Sequence, residues 1–534
     1  MIGTSQSMIY VVGSGPAGVS CATALLQKGV RVTLIDPGLE LEPERARKVL
    51  NLQIIGADGW QPADLAFLKE GTSAGVSGIP LKYSYGSDFP YRDPGVDWKL
   101  AMEGVEMRPS YAKGGLSTVW GAAILPYRAE DIRDWPIRAH DLARHYRAVF
   151  EFMPLAGRHD LLDQLFPLYS ETLETLQLSR QATDFLNALE RSAKTLNHRG
   201  IWYGASRLAV FGSSRNPACC YCGNCMYGCP FGLIYSSSFT VDALRQNPNF
   251  TYYQGAVVDR VVEQAPGITL LARDVRTGEP LRFEGSRVFL ACGVLPTTKI
   301  LLDSLDAYEQ PVTLQDSCYF LLPLLQYGAT RDAAQERLHT LAQCFLEILD
   351  PEVCDQTVHL QVYTYNELYS LALKKLLGSL VVRSGLPQHL LLNRLLLLQG
   401  YLPSAYSPRI QIALHKNRET ELSTLQLSPV ANERTNLTLK NVVRKLRKSS
   451  SLLRGMPIGP MLRASKPGRS FHSGGTFPMR ETPGPLQSDR YGRPHGFARV
   501  HAVDSTVFPS IPATTITLSV MANAHRIGSA IGEY

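Results

Sequence analysis

The most concentrated chemistry in the sequence is a run of thiols. Cys219, Cys222, Cys225 and Cys229, followed by Pro230, read C-x2-C-x2-C-x3-C-P, and Cys220 adds a further thiol. Ferredoxin loops use this spacing to wrap an iron–sulfur cluster in thiolates, the last of which often serves a second cluster. No second run exists, so a complete two-cluster domain is not expected. Three readings stay open: a [3Fe-4S] or [4Fe-4S] cluster, a structural zinc site, or a packed thiol-rich loop without metal. A cluster would pass electrons singly to an acceptor protein or a quinone. The other cysteines, Cys21, Cys292, Cys318, Cys344 and Cys354, are isolated, and the clustering argues for metal over disulfides. A second concentration of chemistry is Gly13-Ser14-Gly15-Pro16-Ala17-Gly18, a G-x-G-x-x-G loop. Such a loop turns tightly at its first glycine, approaches a pyrophosphate at its second and packs helix on strand at its third. Asp36 follows at the distance where an acid accepts from a ribose 2′-hydroxyl and disfavours a 2′-phosphate.

Both features need elements to hold them. Met8 to Val12 is a short apolar run, the pattern of a buried parallel strand. A helix is predicted from Val19 to Lys28, stopped by Gly29, with a second strand from Arg31 to Ile35. The helix N-terminus then offers free N–H groups and a positive dipole end to phosphates. Further on, Gly114 and Gly115 precede small hydroxyl residues, a pattern suited to backbone lying against a flat ligand. Asp134-Trp135-Pro136-Ile137 opens a helix, residues 160–200 look helical, and Tyr252 to Glu263 and Thr269 to Ala272 read as strands. Arg287 to Ala291 is another buried strand, ending at Cys292-Gly293 and leading into a helix through Pro296 and Ile300, as a nucleotide domain does when it resumes late in a chain. Leu390 to Leu398 is very apolar but shorter than the roughly 20 residues of a bilayer span. Buried core is favoured there over contact with a membrane interface.

At 534 residues the chain is too long for one ordinary core, and 45% hydrophobic with 19% charged residues describes a folded protein. The net charge of +7 is unevenly placed: ten Lys/Arg and no Asp/Glu lie from Arg434 to Arg469, leaving about −3 for the rest. This stretch is either a solvated face or a site for an anionic substrate or a membrane surface. No nucleic-acid motif accompanies it, so nucleic acid is not an expected partner. Met1 to Ser7 carries no positive n-region, and a cytoplasmic protein is expected.

The last 65 residues bring a family resemblance. Phe471-His472-Ser473-Gly474-Gly475-Thr476 resembles the His-x-x-Gly-Thr motif of the glucose–methanol–choline (GMC) oxidoreductases. Val500 to Pro509 looks like that family's segment returning to the flavin, and Thr515 to Arg526 like its final helix. The glycine loop, Gly114-Gly115, Trp135-Pro136 and Leu290-Ala291-Cys292-Gly293 fall in family order. The resemblance covers both nucleotide-binding ends and only weakly the middle, 304–450.

It implies an α/β fold: a Rossmann-like FAD-binding domain assembled from both chain ends, plus an α+β substrate or cap domain. The expected spans are 1–303 for the FAD-binding domain with its Cys-rich loop 219–230, 304–465 for the cap, and 466–534 for the C-terminal segment completing the active site. FAD contacts are expected from Gly13, Gly15, Pro16, Ala17, Gly18, Asp36 and Pro37. Gly114, Gly115, Ser117, Val257, Ala291, Gly293, Asp504, Ser505 and Ile516 complete that set. The implied activity is oxidation of a CH–OH group of a sugar, polyol or related alcohol, an anionic one suiting the basic stretch. His472 would be the base, with an ordinary imidazole pKa near neutrality. Where the family has a second His or Asn, this chain aligns Thr515, whose hydroxyl can bond a substrate oxygen but is no neutral-pH base. The motif resembles the sugar-dehydrogenase and pyranose-oxidase-like branch, where a His before the Trp carries a covalent flavin link. Val119 stands there, so no such link is expected. Family sugar dehydrogenases carry a C-x5-C-x3-C cluster, which Cys219, Cys225 and Cys229 match; a dehydrogenase is therefore expected. The alternatives are an oxidase forming hydrogen peroxide, with structural cysteines, or a flavin-binding relay with little turnover of its own.

Overall fold

A computed structural model describes residues 8–71, 81–96, 98–367, 388–417, 419 and 422–533. The leading residues 1–7 and residues 368–387 of the expected cap lie outside these.

Ile9–Val12 and Val32–Asp36 are buried along their whole length and pair in parallel, Val11 opposite Leu34. Arg287–Leu290 flanks the first strand on its other side, Val500–Ala502 lies beyond it, and Phe250–Gln254 forms the far edge. The result is a five-stranded parallel sheet built from both ends of the chain, as the apolar runs predict. The helix Pro16–Gln27 follows the first strand, with proline at a position where a missing N–H costs nothing. It packs against the closing helix Thr517–Ser529, which is buried almost throughout. A small antiparallel sheet of Ala256–Gln264, Gly267–Asp274 and Pro280–Gly285 stands beside this layer.

The second half of the molecule is antiparallel. A seven-stranded sheet runs Gly455–Pro457, Tyr319–Gln326, Leu395–Tyr401, Val358–Tyr363, Cys344–Ile348, Ile201–Ala205, with Arg463–Ala464 also on Tyr319–Gln326. Alternation sorts its residues between two faces. Leu360, Val362, Leu396, Leu398, Phe320 and Leu322 share one core with Phe185 and Leu189 of the helix Arg180–Glu190 and Val442 and Leu446 of Arg434–Lys448. Burial of each such leucine contributes about 2 kcal/mol. The intervening positions, His359, Gln361, Tyr363, Gln399 and Tyr401, fall on the opposite face.

Two expectations change. The partition at 303/304 does not divide the sheets: Ile201–Ala205 pairs with Cys344–Ile348, and Trp98–Met102 pairs in parallel with Ser423–Val430. Long-range pairing of this kind leaves no local signal at the strand that is borrowed. Helix does not fill 160–200 either; only Arg180–Glu190 and Ala193–His198 are α-helical, after a short turn at Leu161–Gln164. The leucines before them are spaced for burial in an irregular segment, where Leu162 is fully enclosed. In the apolar stretch near 390, Leu396 and Leu398 are core strand residues, whereas Leu390 is 45% exposed.

Candidate functional site

One elongated cavity runs from the glycine loop to the polar face of the seven-stranded sheet. At its first end Gly13 adopts φ 103°, and a Cβ there would lie 2.5 Å from Ala291 O. Gly18 is held closer still, since its Cβ would sit 1.8 Å from Gly13 O. Around Gly15 there is nothing within 4 Å of a Cβ, so the backbone faces open space at the helix N-terminus. These are the three roles expected of the loop, and the opening at Gly15 fits a pyrophosphate.

Of the other expected cofactor residues, Pro16, Ala17, Gly115, Ser117, Ala291, Gly293, Asp504, Ser505 and Ile516 line the cavity, Ala291 directly beside Gly13. Asp504 is buried and accepts from the Gly293 N–H at 2.9 Å, the Thr297 hydroxyl at 2.6 Å and the Thr506 N–H at 2.9 Å, tying the C-terminal segment to the Arg287–Leu290 strand. Gly114, Gly18, Pro37 and Val257 stand behind the wall rather than on it. Asp36 does too: Ser14 and Tyr252 donate their hydroxyls to its Oδ2, and burial pushes its pKa up to about 7. The ribose contact expected of Asp36 therefore falls on a carboxylate already engaged within the fold. Ser14 links this carboxylate onward, accepting from the Gly114 N–H at 2.9 Å. The protein atoms thus fit the dinucleotide the resemblance implies at the loop, while the Asp36 side is closed by its own partners.

His472 lines the far part of the cavity. Its segment is fixed by Asp316, a buried carboxylate that accepts from the Gly468 N–H at 2.8 Å and from the Ser470 and Ser473 hydroxyls at 2.9 and 2.7 Å. Ser505 donates to Ser473 O at 2.7 Å, and Ser317 N–H to His472 O at 3.1 Å. Phe471, just before the histidine, takes the left-handed φ of 56°, a strained geometry that the surrounding bonds impose. The imidazole stacks on Tyr401 at 4.6 Å, and its Nδ1 finds no hydrogen-bond partner among the described residues. Burial, with His359 nearby, lowers its pKa to about 3. The expectation of an ordinary near-neutral imidazole is corrected: this ring is neutral across the usual pH range because charging it inside the protein is unfavourable. Thr515 shares the cavity and accepts from the Leu125 N–H at 2.7 Å, which leaves its own O–H proton as the group it can offer.

Facing these residues is a wall that the sequence alone did not single out. In the sheet, His359 pairs with Tyr401, Gln361 with Gln399, and Tyr319 with Tyr401. A fully buried pair anchors the wall: His359 Nδ1 lies 2.7 Å from Glu347 Oε1. With Nδ1–H donating to that carboxylate, Nε2 is the acceptor for the Gln361 amide N–H at 3.3 Å, and the Tyr363 hydroxyl donates to Gln361 Oε1 at 3.2 Å. Gln399 donates to Tyr401 Oη at 2.5 Å. The signal was present as period-two polarity in Val358-His359-Leu360-Gln361-Val362-Tyr363, an alternation inside a strand buried on both faces. Lys82, Arg108 and Arg469 add positive charge to the cavity lining. Burial lowers the Lys82 ammonium to about 8, and its Nζ donates to Trp120 O at 2.6 Å.

The cysteine loop borders the same cavity through Met226. The free thiols of Cys220 and Cys222 share a hydrogen bond, and burial raises Cys225 and Cys229, the latter to about 12. Among the described residues no group of three or more His, Cys, Asp or Glu is disposed to hold a metal ion. The cluster or zinc ion expected of Cys219, Cys222, Cys225 and Cys229 thus finds no support in the folded loop. Val119 lines the cavity beside Trp120.

A family model described as an NAD(P)-binding Rossmann-like domain matches residues 11–41. No curated protein sequence matches the chain. Among solved structures, pyridoxine 4-oxidase from Mesorbium loti superposes with a TM-score of 0.61 at 15% identity, over 99% of this chain and 100% of the other. A formate oxidase superposes with a TM-score of 0.60 at 14% identity, over 99% of each chain. With its parallel sheet assembled from both ends and its final segment returning His472 to the cavity, the chain shares the overall fold of these two solved structures.

Proposed function

We propose that the protein is an FAD-dependent oxidoreductase that oxidises a CH–OH group of a sugar, polyol or related alcohol, one with an anionic group being favoured. The observation that carries this reading is the meeting of the open Gly15 backbone and His472 in one cavity. Bound there, FAD would supply a hydride acceptor, and Gly13–Ala17, Ser117, Gly293 and Asp504 are the residues placed to hold it. The chain does the rest. Gln361, Gln399 and the tyrosines of the sheet face hold hydroxyl groups, and Lys82 and Arg108 favour negative charge on the substrate. Neutral His472 takes the hydroxyl proton on a ring nitrogen, and the Thr515 hydroxyl donates to the substrate oxygen. Because His472 titrates so low, it is a ready acceptor at all working pH values but a weak one, and the neighbouring donors must stabilise the developing alkoxide.

Purified protein reconstituted with FAD tests this. A panel of sugars, sugar phosphates and alcohols is expected to include compounds that bleach the flavin without oxygen. His472→Ala should keep FAD but lose bleaching by roughly 100-fold or more, and unchanged bleaching would remove His472 from the reaction. In the wild type the rate should show no inflection from His472 above about pH 4. The dehydrogenase reading has a rival in an oxidase, favoured by the names of both solved neighbours and by thiols that do not group as metal ligands. Admitting oxygen to the bleached protein separates them: rapid recovery with peroxide marks an oxidase, and slow recovery that a quinone accelerates marks a dehydrogenase.

A further inference from the structure

One face of the molecule carries positive charge without compensation. The helix Arg434–Lys448 turns Leu439, Val442 and Leu446 into the core and leaves Arg434, Lys440, Arg444 and Arg447 exposed. Lys445 is paired with Asp350, but those four make no ion pair among the described residues. The patch continues along the chain. Gly459 packs under Val443 and Arg447, and the edge strands Gly455–Pro457 and Arg463–Ala464 bring exposed Arg454, Arg463 and Lys466 beside the helix. No Asp or Glu occurs from 434 to 480. Set among these cations are large apolar groups in water: Leu437 is 58% exposed, Met456 38% and Tyr327 42%, with the Arg454 guanidinium 6.0 Å from the Tyr327 ring centre.

The patch also leads to the cavity. Glu106 N–H donates to Pro467 O at 2.9 Å, the Glu106 carboxylate is held by Arg469, and Arg108 is exposed while lining the cavity. The Glu106 carboxylate is thereby neutralised.

We infer that this face docks on a bilayer containing anionic lipids. Unpaired guanidinium and ammonium groups match lipid phosphates and carboxylates, and exposed Leu437, Met456 and Tyr327 gain by entering the headgroup region.

Vesicle sedimentation of the full-length protein tests the inference without requiring turnover. The protein should bind vesicles of phosphatidylcholine mixed with phosphatidylserine, not phosphatidylcholine alone, and release at high salt. Each cation near an anionic surface strengthens binding about fivefold, so Lys440→Gln/Arg444→Gln/Arg447→Gln should weaken it on the order of a hundredfold. Lys28→Gln/Arg31→Gln/Arg47→Gln, which removes equal charge from the dinucleotide-binding half, should bind as the wild type does. Circular dichroism checks that both variants are folded. Failure of the wild type to bind anionic vesicles would overturn the proposal, as would equal loss in the two variants. Capture on immobilised polyglutamate without vesicle binding would assign the face to an acidic protein instead.

Discussion

Asp316 shows how a single buried carboxylate can set the geometry of a site. It collects three donors from Gly468, Ser470 and Ser473 and so fixes the turn that presents His472. Burial nonetheless raises its pKa to about 6. Raised in the folded state, the group contributes stability that is complete below its unfolded pKa and lost as pH rises through about 6. Asp316→Ala should destabilise the protein by on the order of 3 kcal/mol, because three donors lose their acceptor. By the same linkage, the deficit in chemical denaturation should be larger near about pH 5 than near about pH 8. Flavin bleaching by substrate should fall with it, since the strained Phe471 turn loses its anchor. A deficit that does not change with pH would show that the carboxylate is charged throughout. Thr515, by contrast, was legible only as a departure from a motif; that it accepts from the Leu125 N–H required the fold.

At the scale of elements, the opening strand, loop and helix were readable because their chemistry is local. Gly13 and Gly18 are required by contacts within the same turn and with Ala291 beside it. This gives a contrast within one loop. Gly18→Ala has no room and should fail to fold or to retain FAD. Gly15→Ala fits the apoprotein, where its methyl meets nothing within 4 Å, but occupies the open space facing the cavity. It should keep the apoprotein melting temperature and weaken FAD binding about tenfold or more, as fluorescence titration reads it. Equal affinity for the two proteins would place the pyrophosphate elsewhere. The sheet wall was not readable as a site. The alternation in Val358–Tyr363 announces a strand with a polar face, but which residues stand across from it depends on strands from 319–326 and 395–401.

Across the whole molecule, buried imidazoles set the response to acid. Burial lowers His145, His472 and His501 to about 3 and His339 and His525 to about 4. Depressed pKa values mean that the unfolded chain binds these protons first, so the stability held near neutrality is lost as pH falls below about 6.5. Asp36 and Asp316, raised to about 7 and about 6, act in the opposite direction over part of that range. Burial raises Asp131, Asp160, Glu347 and Asp504 as well. With the five histidines dominant over these six acids, the urea midpoint should fall from about pH 6.5 to about pH 4.5. His145 and His525 meet across the packed helices at 2.9 Å between their Nδ1 atoms, so His525→Gln should flatten part of that slope. A midpoint that rises on acidification would show the carboxylates to be dominant.

By itself the sequence determined the dinucleotide loop, the strands on either side of it, the return of the C-terminal segment and the place of His472 in a motif. Each depends on residues close together in the chain or on motifs met in a fixed order. Only the tertiary structure decided that Asp36 is occupied by Ser14 and Tyr252, that the His472 imidazole is held neutral, and that Gln361 and Tyr401 face it. It also decided the arrangement of the thiols, whose sequence spacing fits a cluster while the folded loop groups no three ligands for one among the described residues. Spacing along a chain limits which side chains can meet, but burial, register and the donors already taken determine which of them remain available for chemistry.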